Sequence, residues 1–180
     1  MRRTGMAAAL IAALLAGGCS TADSALPTEQ VNAVDVMFVQ MMLPHNQQGM
    51  RLAGIAGDRA AAAEVRSLAA AIETTEALEI RDMTRWLHEW DQPLAAPSSA
   101  HAAHGGLPET SEKEIARLAK ATSGFDRDFL TLMIAHQDDA VRMAKLAALN
   151  GSSPRVLNLA RQVDRARSAQ VTYMRSLLGK

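Results

Sequence analysis

Two stretches of the 180-residue chain decide its fold: residues 35–56, DVMFVQMMLPHNQQGMRLAGIA, and residues 126–147, DRDFLTLMIAHQDDAVRMAKLA. They lie 91 positions apart and align without a gap. Asp35, Phe38, Met42, His45, Arg51, Ala53 and Ala56 meet Asp126, Phe129, Met133, His136, Arg142, Ala144 and Ala147. The same offset pairs Val65, Leu68, Ala69, Met83 and Leu87 with Val156, Leu159, Ala160, Met174 and Leu178. That is 12 identities in 55 positions, where roughly four would arise by chance. Phe38, Met42, His45, Gly49, Leu52 and Ala56 recur at alternating spacings of four and three, which defines the core-facing stripe of a helix. The unit is therefore a helical hairpin, and two hairpins make an all-α four-helix bundle.

The flanking residues set the expected limits. The first helix is expected from about Glu29 to Ala56, with Thr28 as N-cap and a turn near Gly57-Asp58. The second runs from about Arg59 to Trp90 and stops before Pro93. The third follows Phe125 and ends at Asn150-Gly151. The fourth opens with Ser153 as N-cap and Pro154 at the first helical position. Gln92 to Thr110, rich in Pro, Ala, Ser and Gly, reads as a loop. Ser111-Glu112-Lys113-Glu114 has capping-box spacing and introduces a short extra helix to about Ala121. The domain thus spans residues 33–180, with repeats at 35–89 and 126–180 and a linker at 91–123.

Composition agrees with this. Ala supplies 35 residues against six aromatics, which favours helix over strand. One Cys excludes a disulfide framework and any Cys-based zinc finger, and 19 basic against 19 acidic residues give no electrostatic case for nucleic acid. The start of the chain reads as an address. Arg2 and Arg3 precede the apolar run Met6–Leu15, which is too short to span a bilayer but suits a signal peptide. Leu15-Ala16-Gly17-Gly18-Cys19 then resembles a bacterial lipoprotein signal, with Ala16 at the place usually held by Leu. The expectation is a signal peptide over residues 1–18, lipidation of Cys19 and a tether over 19–32. The protein would be exported and held at the membrane by that lipid. Loss of Arg2 and Arg3 leaves 17 basic against 19 acidic residues, a formal charge of −2.

The buried stripes carry the chemistry. His45 and His136 sit mid-stripe, each one turn after a methionine, Met42 or Met133. The second and fourth helices offer Glu79 with Met83 and Gln170 with Met174. One reading is a structural polar layer, with the histidines hydrogen-bonded to Glu79, Gln170, Thr75 or Gln137, because a buried polar group needs a partner. Another is a metal site, since imidazole with thioether suits copper and thioether favours Cu(I). A di-iron carboxylate centre needs Glu-x-x-His on two helices, and the chain has none. Counting along the hairpin puts His45 level with about residue 73. Glu79 then lies about 9 Å along the axis, a gap narrowed by the lean of helical side chains toward the N-terminus. Thr75 and Glu76 lie closer in level, with Glu76 toward the edge. His101 and His104, in His-Ala-Ala-His-Gly-Gly, read as solvated loop histidines that could also hold a surface ion. His88, near Trp86 and Trp90, is expected at an interface or in solvent.

These motifs resemble the bacterial family known as domain of unknown function 305. Its pattern is an aromatic followed by Met-Ile-x-His-His, small and acidic residues, and Met-Ala. Here the first copy has Phe38 and then Met42-Leu43-Pro44-His45-Asn46. The second has Phe129, Met133-Ile134-Ala135-His136-Gln137 and Val141-Arg142-Met143-Ala144. Glu79-Ile80-Arg81-Asp82-Met83 matches the family's Glu-Ile-x-x-Met. The resemblance covers about residues 33–180 and implies an exported, ferritin-like four-helix protein. Some members are linked to copper binding or resistance through Met and His, while most have no assigned role. Three departures each remove a potential ligand. The second His of each pair is Asn46 or Gln137, the Glu of the second hairpin is Gln170, and Leu52 stands where Met is common.

The resulting expectation is a cell-envelope protein that sequesters or delivers copper as Cu(I). His45, His136, Met42, Met133 and Met143 are its first ligand candidates, then Met83, Met174 and Glu79. The alternative is an envelope scaffold or interaction domain whose His, Glu and Gln layer only fixes packing. The sequence holds no nucleophile–base pair, phosphate loop or cofactor motif, so no enzymatic activity is expected.

Overall fold

The computed structural model describes residues 29–96 and 110–179. The expected leader, Cys19, His101 and His104 lie outside the described residues. Among those described there are five helices and no strand. They are α1 (Ala33–Arg59), α2 (Ala63–Glu89), α3 (Glu112–Lys120), α4 (Phe125–Asn150) and α5 (Pro154–Leu178). None is long and apolar enough to cross a membrane.

Most of the expected helix ends agree with the structure, those of α3, α4 and α5 among them, whereas α2 starts at Ala63 and not at Arg59. Ser111 and Glu114 form the reciprocal capping box of α3, α4 ends at Asn150, and Ser153 caps α5 with Pro154 as its first residue. The limits of α1 differ. It begins at Asn32, not Thr28, because Asn32 and Asp35 cap each other: the Asn32 side chain accepts from the Val34 and Asp35 amides. The Asp35 carboxylate in turn accepts from Asn32 N at 2.8 Å. The helix also passes through Gly57-Asp58 and turns only at residues 60–62. One helical Gly costs only about 1 kcal/mol. Arg59 holds the extra turn by donating to the carbonyls of Leu118, Ala119 and Ala121 and lying 4.9 Å over the Phe125 ring.

Helices α1 and α2 form one hairpin, α4 and α5 the other, and α1 packs against α4. The repeat sets how they meet. The Asp35 carboxylate accepts from the Ser152 and Ser153 amides at 3.1 and 3.0 Å. The Asp126 carboxylate accepts from the Ala61 and Ala62 amides at 2.9 and 2.8 Å. These contacts are the same pair displaced by 91 positions, so the hairpins are related by a pseudo-two-fold axis with α1 and α4 antiparallel. Each hairpin caps the second helix of the other, giving orphan amides at a helix start a charged acceptor.

The apolar core falls into two clusters along the bundle. One gathers Phe38, Val39, Met42, Met83, Trp86, Leu87, Met143 and Val163 with their neighbours. The other gathers Leu52, Ile72, Phe129, Met133, Val171 and Met174, and α3 adds Ile115 and Leu118 to it. Between them lies a layer of buried polar side chains.

Candidate metal centre

The pseudo-two-fold axis brings His45 and His136 together in that layer. Their rings stack with centroids 3.8 Å apart and planes 15° from parallel. The sequence places each ring mid-stripe on its helix, and antiparallel packing of α1 on α4 makes the two equivalent positions meet. The Nε2–H of His45 donates to the His136 carbonyl at 3.1 Å. A carbonyl can only accept, so this bond fixes the tautomer and leaves Nδ1 of His45 as a bare lone pair. That atom is buried without a partner. His136 engages Thr110 Oγ1 through Nδ1 at 3.1 Å, and its Nε2 is likewise buried and unpartnered.

Both imidazoles are held neutral. Burial depresses the His45 pKa to about 4, with the Arg167 charge adding to the effect and the bond to the His136 carbonyl opposing it. Burial takes His136 to about 2, reinforced by His45 and Arg167. Neutral imidazole is the form that binds a metal.

Arg167 is the main departure from expectation. Sequence reading did not single it out, yet it is fully buried on α5. Its guanidinium contacts Glu79 Oε2 at 2.8 Å and Glu76 Oε1 at 3.5 Å. Glu76, expected toward the edge, is instead fully buried in the layer. Burial raises its pKa to about 8, with the Arg167 charge opposing and the Glu79 charge reinforcing the shift. Asn46 donates to Glu79 Oε2 at 2.8 Å, and Gln137 donates to Glu76 Oε1 at 3.3 Å. A sequence signal existed for all of this. Ile72, Glu76, Glu79 and Met83 follow four–three–four spacing, as do Val163, Arg167, Gln170 and Met174. Glu76 and Arg167 are also repeat partners, and partners that lie close to the two-fold axis face each other across it.

The eight predicted ligands do not form one centre. His45 and His136 meet, while the methionines divide between the cores: Met42, Met83 and Met143 in one, Met133 and Met174 in the other. All five are buried. Glu79 is engaged by Asn46 and Arg167 and contacts neither imidazole through a hydrogen bond. Thr75 turns back to the Ala71 carbonyl, and His88 is exposed. Among the described residues no three His, Cys, Asp or Glu side chains form a cage for a cation. The donor set consists of neutral imidazole nitrogens beside thioether-lined cores. It fits a soft monovalent ion better than a hard dication, which a fully buried guanidinium repels more strongly.

The sequence pattern and this arrangement coincide with one family. The model of the domain of unknown function DUF305 matches residues 35–178. The chain belongs to the DUF305 family. No protein of curated function matches it. Among solved structures, the DUF305 chain is similar to a DUF305 fragment from Deinococcus radiodurans, with 33% identity and a TM-score of 0.73. That match covers 83% of this chain and 97% of the other. It is also similar to a putative secreted DUF305 protein from Streptomyces coelicolor (27% identity, TM-score 0.77), over 81% and 92% of the two chains. CopM in its Cu(II)-bound form matches with 30% identity and a TM-score of 0.68, over 81% and 95%. CopM is also known in Cu(I)- and Ag-bound forms. The all-α bundle expected from the repeat is therefore the fold of this DUF305 chain.

Proposed function

We propose that this chain is an exported copper-binding protein that holds Cu(I) at the core containing Met42, Met83 and Met143, next to His45. One observation carries the reading: a buried, neutral imidazole whose Nδ1 has no partner lies between two thioether-bearing cores. Thioether and imidazole are soft and borderline donors suited to Cu(I). A single positive charge also tolerates Arg167 better than a double one would. Met133, Met174 and His136 form the weaker counterpart, because Leu52 stands opposite Met143 in the repeat. The similarity to CopM, seen with copper and silver, supports the metal class. Arg2, Arg3 and the Leu15–Cys19 segment support export with lipidation at Cys19, and the protein would store or pass on the ion without turnover of a substrate.

Titration of the metal-free protein with Cu(I) against a competing chelator tests this. Stoichiometric binding tighter than micromolar is expected, weakened at least about tenfold by Met143→Leu. Leu52→Met, which supplies the missing thioether to the second core, should strengthen binding there. Absence of stoichiometric Cu(I) binding in the wild type sinks the proposal. The paired layer of Arg167 with Glu76 and Glu79 then favours the scaffold reading, since a buried ion pair fixes register without a ligand.

A further inference from the structure

Helix α3 lies on a stripe of α1 whose repeat partner is bare. On α1, Arg51, Ile55 and Arg59 recur every fourth residue. Arg51 pairs with Glu112, and Arg59 donates to the carbonyls of Leu118, Ala119 and Ala121. Between them Ile55 packs, partly buried, against the core that contains Ile115 and Leu118. The 91-residue offset carries this stripe to Arg142, Leu146 and Asn150 on α4, with Leu149 in place of Asp58. Leu146 and Leu149 are 63% and 79% exposed, more than any other large apolar side chain among the described residues. They stand one turn apart on one face of α4. A single exposed leucine is ordinary, but an exposed pair on a stripe that is covered in the other repeat marks a contact surface. The charges one turn earlier are already matched, Arg142 by Asp139 and Lys145 by Asp164.

The chain enters the fold beside this face. Asn32, the cap of α1, donates to the Asn150 carbonyl and to Ser152 Oγ. Glu29 is held at the same end by Ser153, Trp90 and Arg155. From Cys19 to Glu29 the chain spans at most about 35 Å when extended. That is less than the length of α4, about 39 Å for its 26 residues. A lipid on Cys19 therefore brings a bilayer to this end of the bundle. We propose that the face bearing Leu146 and Leu149 rests in the interfacial region of the bilayer that holds the Cys19 lipid. The inference rests on the lipidation reading above and is independent of copper binding. The contact is apolar and does not select anionic headgroups, because Arg142 and Lys145 are paired. Their long stems lie along the apolar surface while their heads stay in water. Two leucines orient a protein that its lipid already retains; they do not replace the lipid.

The test uses the full chain purified with its lipid and reconstituted in phosphatidylcholine vesicles. A polarity-sensitive fluorophore is attached at Leu149→Cys and, for comparison, at Leu78→Cys, which is 49% exposed on α2. The lipid occupies the Cys19 sulfur, so only the new thiol is labelled, and helical circular dichroism confirms that each variant is folded. A blue shift and quenching by spin-labelled lipid are expected at position 149 and not at 78, unchanged when phosphatidylglycerol is added to the vesicles. A label at 149 as solvated as the one at 78 overturns the proposal, as does a shift that requires the anionic lipid. A shift that appears without vesicles and grows with protein concentration, in the Cys19→Ser background, assigns the face to a second copy and also overturns it. Mass spectrometry of the mature chain reads the lipid separately. If Cys19 carries none, the lipidation reading fails, and sedimentation of the lipid-free chain with vesicles decides the face. Binding weakened at least about fivefold by Leu146→Ser/Leu149→Ser then retains it, and a smaller effect or no binding overturns it.

Discussion

The two ends of the bundle repeat one core pattern but differ in what closes them. At one end the core of Phe129, Met133, Met174 and Leu52 is covered by α3 through Ile115 and Leu118. At the other, the core of Phe38, Met42, Met83 and Met143 has no such helix among the described residues. It is bordered instead by Trp86, with Trp90 partly buried against it. There Arg155 lies 5.6 Å over both indole rings and pairs with Glu29 and Glu89. The repeat partner of Arg155 is Glu64, so this clasp has no copy. The repeat keeps the core stripe, the Asp35 and Asp126 caps and the His45/His136 pair, while the coverings of the two ends and the rest of the polar layer differ. In that layer the matching positions 76 and 167 carry opposite charges and face each other.

That asymmetry can be attacked directly. Arg167→Met should have the largest effect, a loss of about 3–5 kcal/mol in chemical denaturation, because it strands the Glu79 charge in a buried layer. A loss below about 1 kcal/mol would mean that the layer is not closed as described. Next comes Gly49→Ala. Helix propensity alone predicts a gain of up to about 1 kcal/mol, but overpacking against Glu76 Oε2 and His136 should reverse the sign and cost about 2 kcal/mol. Ala140→Gly, at the matching position, should cost about 1–2 kcal/mol, the helix propensity term plus a buried methyl. A stabilising Gly49→Ala would show that Gly49 is not closely packed by Glu76 and His136.

The reciprocal caps should differ by less. Asp35 is fully buried and also accepts from Asn32, whereas Asp126 is only half-buried. Asp35→Ala is expected to cost about 2 kcal/mol and Asp126→Ala about 1 kcal/mol, at the upper and middle of the range for caps. The smallest effect belongs to the clasp. The hydrogen bond from Arg155 is the main cause that holds the Glu29 carboxyl down to about 2, from 4.5. A depressed pKa contributes stability that is present above 4.5 and lost as pH falls toward 2. The wild type should therefore lose more stability than Glu29→Gln between pH 5 and pH 2 in thermal melts, about one half-exposed ion pair's worth. The difference should shrink in molar salt.

Much of this molecule was legible in advance where a residue answers to its neighbours along the helix. Ser153-Pro154, the Ser111–Glu114 box and the Met42/His45 and Met133/His136 stripes all read correctly, because caps and periodicity are local properties. The start of α1 at Asn32 is also a local signal, because Asn32 and Asp35 have capping-box spacing and Thr28 has only Val31 three residues on; the contacts of Asn32 with Asn150 and Ser152 across the bundle add to it. The extra turn through Gly57-Asp58 was hidden because its support comes from Arg59 reaching Leu118, far along the chain. The expectation that Glu76 lies toward the edge fails because Arg167, distant in sequence, is buried against it.

That the chain is all-helical, that it is one hairpin written twice, and which stripes enter the core all follow from the residues in order. Periods of three and four residues and a repeat of 91 are properties of the chain alone. That the hairpins meet antiparallel across a two-fold axis emerges only when the helices pack. That choice stacks His45 on His136, sets Glu76 against Arg167, and divides five methionines between two cores. A linear pattern fixes which face of a helix is buried, but the partner across the interface depends on how two faces are superposed, and that is settled by packing.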